Sequence, residues 1–108
     1  MSENNPDQGA VRLALAGSIA TVTFDRPHAR NAMTWHMYEV LADICTELSV
    51  NKGVQVVIFR GAGGEAFVAG TDIEQFKTFR TAEDALEYEG RINSVMGLLE
   101  GLPMPTVA

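Results

Sequence analysis

The stretch VQVVIFRGAGGEAFVAGTDIEQF, Val54 to Phe76, decides how the rest of the chain is read. It opens with a short, β-branched and nearly continuous apolar run, Val54 to Gly61. That pattern suits a strand buried on both faces, as in a parallel sheet. GAGGEAF follows as a flexible loop, a second apolar run ends in Gly70, and Asp72 stands three residues before Gln75. This is capping-box spacing, so the sequence predicts a helix starting at or just before Asp72. The first N–H groups of a helix lack internal partners, and the helix dipole makes that end attractive to negative charge. Gly70 lets the backbone turn and approach a ligand closely. The N–H groups expected there, that of Thr71 above all, suit an enolate or thioester oxygen as charge develops on it. The same residues also fit an ordinary glycine turn followed by a capped helix.

Towards the N-terminus, Val11–Leu15 and Ile19–Phe24 are strand candidates joined by a hairpin turn at Ala16-Gly17-Ser18. In the second strand Ile19, Thr21 and Thr23 alternate with Ala20, Val22 and Phe24, which predicts one apolar face. DRPHARNAM is a loop, because Pro27 fixes its own φ and keeps Arg26 out of helical geometry. A helix is expected from near Thr34 to Ser49, with Met37, Leu41, Ile44, Cys45 and Leu48 on one stripe and Glu39, Asp43 and Glu47 on a solvated face. Asn51-Lys52-Gly53 ends it, with a glycine where a left-handed cap is easy. Towards the C-terminus, Thr81 and Asp84 mark another helix start, and Ile92, Val95, Met96 and Leu99 form its apolar stripe. Gly101, Pro103 and Pro105 stop it, and PTVA reads as the start of one more strand. Hairpin, helix, strand, helix, helix is an α/β order.

With 108 residues the chain fits one small domain, and apolar residues near half the total allow a packed core. Fourteen Asp and Glu stand against eight Lys and Arg, with no basic tract, which argues against nucleic acid or a membrane as partner. One cysteine and two histidines make neither a disulfide framework nor a metal site. Residues 1–10 read as a disordered polar lead-in without an export signal, and no apolar run reaches membrane-spanning length. A cytoplasmic protein is expected. Arg26, Arg60, Arg80 and Arg91 are scattered and read as solvated surface residues.

FDRPHARNAM, VVIFRGAGGEAFVAGTDIEQF and the closing LPMPTVA, in this order and at these distances, resemble the N-terminal half of the crotonase, or enoyl-CoA hydratase/isomerase, superfamily. The resemblance covers roughly Val11 to Ala108. It implies an α/β fold that is the N-terminal half of a repeated ββα spiral, and a homo-trimer or hexamer when intact. It implies an acyl-CoA thioester as substrate, with no cofactor beyond the CoA that the substrate carries, and fatty acid metabolism as the setting. The backbone N–H of Thr71 matches one of two oxyanion-hole donors for the thioester carbonyl. Thr71 stands where alanine is common, but the donor is backbone. His28, Ala29 and Arg30 match the segment that lies along the CoA, and Ala69 matches a backbone contact to its adenine part. Gly70, Asp72 and Ile73 complete the expected substrate-binding set, while Asn31 and Ala32 shape the loop.

The chain departs from the family at further positions. His28 and Glu65 stand where some members place lysines near the CoA phosphates, so affinity leans on Arg30 or on residues elsewhere. In the family, the second oxyanion donor and the proton-transferring carboxylates follow the segment matching PTVA. Asp72 and Glu74 sit at the helix start and read as caps or dipole partners. The 108 residues alone are therefore expected to be inactive, a domain interrupted before the second oxyanion segment. The alternative is a truncated, non-catalytic CoA-binding or assembly module that pairs through its unfinished sheet. An unrelated small α/β domain, whose glycine turn holds another anion, is a third reading.

Overall fold

A tight hairpin opens the fold. Strand β1 (Ala10–Ala16) runs antiparallel to β2 (Ile19–Asp25), with Ala16 opposite Ile19 across the turn Gly17-Ser18. The computed structural model describes residues 8–26, 29–63 and 82–107. Val11, Leu13 and Leu15 sit opposite Phe24, Val22 and Ala20. The alternation in β2 therefore reads out directly, because Ala20, Val22 and Phe24 are buried while Thr21 and Thr23 are half-buried.

Helix α1 (Trp35–Val50) leads back to β3 (Val56–Gly61), which lies parallel to β2 with Ala20 beside Val57 and Val22 beside Phe59. Helix α2 (Ala82–Glu100) precedes β4 (Thr106–Val107), parallel to β3. The sheet order is β1-β2-β3-β4. Parallel neighbours need a crossover, and the helices supply it.

Thr34 is the N-cap of α1, its hydroxyl accepting the Met37 N–H at 3.2 Å. Met37, Leu41, Ile44, Cys45 and Leu48 are buried as the stripe requires, and Glu39, Asp43 and Glu47 are exposed. They join Val11, Val22, Phe24, Val57, Phe59 and Val95 in one core. From α2, Val95 is buried, and Ile92, Met96 and Leu99 pack against that core half-buried. No helix among the described residues is long and apolar enough to cross a membrane.

The structure corrects several expectations. Residues 8–10, assigned to the lead-in, belong to the fold. Thr34 donates to the Gln8 carbonyl, Gly9 passes against Met37 and Arg26, and Ala10 begins β1. The rest of the lead-in, residues 1–7, lies outside the described residues. Helix α1 does not end on a left-handed glycine. Asn51 is extended at φ −88°, its N–H donates to the Leu48 carbonyl, and its side chain accepts the Gly53 N–H at 2.9 Å. A side chain that captures a backbone donor two residues on makes the left-handed cap unnecessary. Strand β3 is not buried on both faces either: Val57 and Phe59 are buried, whereas Val56 and Ile58 are half-buried and Arg60 is exposed. The glycine loop from residue 64, the helix start at Asp72 and the cap at Thr81 lie outside the described residues.

Candidate functional site

Between Asp25 and Trp35 the chain must leave the sheet, reverse and enter a helix. It does so through a laced loop. The Arg26 carbonyl accepts from the N–H groups of Ala29 at 3.0 Å and Asn31 at 2.8 Å, and the Ala29 carbonyl accepts from Ala32 at 3.0 Å. Arg30 and Asn31 adopt positive φ, 54° and 60°. Asparagine tolerates this region because its short side chain bonds locally, whereas an arginine there needs the surrounding bonds to hold it.

Asn31 is 1% exposed. Its Oδ1 accepts the Arg26 N–H at 2.6 Å, and its Nδ2 donates to the Ala62 carbonyl at 3.1 Å. The Ala62 N–H in turn donates to Phe24 O at 2.8 Å. The loop after β2 and the exit of β3 are thus bound into one ridge at the same end of the two parallel strands. Such strand ends are where open α/β sheets hold ligands.

Of the residues expected to form the site, the described part of the chain contains Ala29 and Arg30. Ala29 is half-buried inside the turn, and Arg30 is exposed on it. His28, Ala69, Gly70, Thr71, Asp72 and Ile73 lie outside the described residues. Asn31 shapes the loop, as expected from its position.

Arg26 departs from its sequence reading, whereas Arg91 keeps its surface place and gains a partner there. Arg26 is not a solvated surface residue: it is 9% exposed, and its guanidinium donates to the Ala32 carbonyl at 3.3 Å. Burial follows from its position beneath Gly9 and across the loop it closes, contacts with no local sequence signature. Arg91 is exposed but lies over the Trp35 ring, 5.0 Å from its centroid. Beside that pair, Tyr38, Ala42, Ile92 and Val95 help line a cleft of about 210 Å³ between α1 and α2. Neither Ala29 nor Arg30, the two expected site residues among the described ones, lines it.

Comparison with known proteins places this frame. Residues 19–108 match the family model described as enoyl-CoA hydratase/isomerase. A short-chain-enoyl-CoA hydratase of Clostridium acetobutylicum is 35% identical over 98 residues, which is 91% of this chain and 37% of the relative. A crotonyl-CoA hydratase of Syntrophomonas wolfei is 30% identical over 90 residues, covering 83% of this chain and 34% of the relative. The crystal structure of an enoyl-CoA hydratase/carnithine racemase from Magnetospirillum magneticum superposes with a TM-score of 0.84 at 38% identity, over 89% of this chain and 36% of that one. The chain spans about a third of the length of these relatives. It belongs to the enoyl-CoA hydratase/isomerase family of the crotonase superfamily, and its residues correspond to the N-terminal part of that fold.

Proposed function

We propose that the protein serves acyl-CoA chemistry, as part of an enzyme domain that hydrates or isomerises an enoyl-CoA. Family membership supports the substrate class. The observation that carries the reading is the ridge laced by Asn31, which gives Ala29 and Arg30 a fixed path beside the end of β3. Arg30 then offers an exposed cation to the CoA phosphates, with His28 and Ala29 along the ligand and Ala69 against its adenine part.

In hydration, water adds across the double bond, with hydroxyl to the β-carbon and a proton to the α-carbon. In isomerisation, a proton leaves one carbon and another is delivered two carbons away. Both routes put negative charge on the thioester oxygen, and the Thr71 N–H is proposed as one of its two donors. Gly70, Asp72 and Ile73 flank that donor, and the substrate brings its own CoA, so no separate cofactor is invoked. The second donor and the proton-transferring groups are not assigned to any of these 108 residues. By itself, this stretch is proposed to bind CoA without turnover, and the intact enzyme is proposed to be a trimer or a pair of trimers.

The test uses Thr71 in the intact enzyme with crotonyl-CoA, following loss of the enoyl-thioester absorbance. Thr71→Ala keeps the N–H and should turn over within a few-fold of the parent. Thr71→Pro removes it and should lower kcat by roughly 100-fold or more. A proline variant that turns over at the parent rate would exclude this donor.

A further inference from the structure

The loop Arg26–Ala32 and the exit of β3 are about thirty positions apart in the chain and meet through a carboxamide. That group faces two opposite demands. The Arg26 N–H needs an acceptor, and the Ala62 carbonyl needs a donor. Asparagine supplies both from one planar group, whereas aspartate supplies only the acceptor and glutamine sets the amide one methylene farther out. Position 31 also lies at φ 60°, a conformation that asparagine and glycine adopt most readily. Burial at 1% exposure removes water as a substitute partner.

We propose that Asn31 is a positioning residue for coenzyme A: its carboxamide fixes the loop carrying Ala29 and Arg30 against the β3 exit and so sets where that loop meets the ligand. This rests on the reading that the loop lies along CoA. Asn31 need not touch the ligand. It acts through Arg26 and Ala62.

The experiment compares the parent chain with Asn31→Asp and Asn31→Gly by amide hydrogen exchange and by calorimetric titration with coenzyme A. Asn31→Asp retains the acceptor for Arg26, loses the donor to Ala62 and sets a carboxylate against a carbonyl. Asn31→Gly keeps the backbone conformation and loses both bonds. The amides of Ala29 and Ala32 bond within the loop rather than to Ala62, so they report whether the tether holds the loop. In Asn31→Asp they should exchange about tenfold faster while the β1–β2 ladder amides keep the parent rate. Coenzyme A should bind about tenfold more weakly, and Asn31→Gly should weaken it at least as much.

Unchanged exchange at Ala29 and Ala32 overturns the proposal. So does a melting point that falls while the CoA dissociation constant, measured well below it, stays at the parent value. If Asn31→Asp does not fold, Asn31→Gly decides by the same two readouts. A parent chain that fails to bind coenzyme A sinks the binding reading instead, and the exchange rates still decide whether Asn31 holds the loop.

Discussion

Trp35, the first residue of α1, and Tyr88, in the second turn of α2, stack with ring centroids 4.8 Å apart and planes 23° from parallel. Arg91, three residues beyond Tyr88, lies over the same indole, and its ion pair with Glu87 at 3.7 Å is exposed and contributes little. The stack fastens the start of α1, just after the candidate loop, to a helix that begins almost fifty residues later.

That clasp should be measurable. Tyr88→Ala removes a buried aromatic ring and is expected to cost about 3 kcal/mol in urea unfolding. Trp35 is the chain's sole tryptophan, so its emission follows the transition and should shift to the red in the folded variant. Tyr88→Phe keeps the stack and should lose about 1 kcal/mol or less. Equal losses in the two variants would mean that the ring contact contributes nothing.

Thr34 joins two segments through one hydroxyl, accepting from Met37 N–H and donating to Gln8 O. Thr34→Ala is expected to cost about 1–2 kcal/mol, from the lost cap and the released carbonyl. Thr34→Ser should restore most of it. Failure of serine to rescue would point to the threonine methyl rather than the hydroxyl.

Gly9 and Gly17 separate two kinds of glycine dependence. Both have positive φ, 73° and 61°, but a Cβ at Gly9 would lie 2.6 Å from Met37 Sδ, whereas nothing lies within 4 Å of one at Gly17. Gly17→Ala therefore carries the conformational cost alone, about 1–2 kcal/mol. Gly9→Ala adds a collision with a fully buried side chain and should cost about 1–3 kcal/mol more. Thermal denaturation of the two variants side by side checks the order.

Cys45 is buried in the core, and burial pushes its thiol above the ordinary range. The folded state then holds a proton that the unfolded chain releases at about pH 8.5. The stability gained from keeping Cys45 neutral is complete below that pH and declines as pH rises through the folded value. Cys45→Ala should flatten this alkaline decline while lowering stability at neutral pH by leaving space at the sulfur. A thiol reagent should modify the native chain only on unfolding, and prompt labelling at pH 7 would contradict the burial argument.

The features legible in the sequence were those with a local period. Ala20, Val22 and Phe24 declared one face of a strand, and the Met37–Leu48 stripe declared one face of a helix, because each pattern repeats within its own element. The apolar run in β3 carries no comparable phase, so it gave the strand without showing that Val56 and Ile58 stay half-buried. Gly53 carried a propensity that the neighbouring Asn51 side chain overrode. At the candidate site, the kinked loop could be read from Pro27, but its anchor could not. Asn31 finds Ala62 thirty-one positions away, and Arg26 is buried by Gly9, which precedes the partner strand at the open end of the hairpin. Such pairings depend on which segments the tertiary fold brings together.

The order of the strands in space repeats their order along the chain. During synthesis each strand leaving the ribosome can therefore join an edge that already exists, and none has to be inserted between two that are paired. The hairpin has the shortest loop to close and is a ready template, to which β3 can add across α1 and β4 across α2. The sheet can therefore grow from one edge, and the ridge around Asn31 can close once Ala62 has arrived, whether or not α2 has docked.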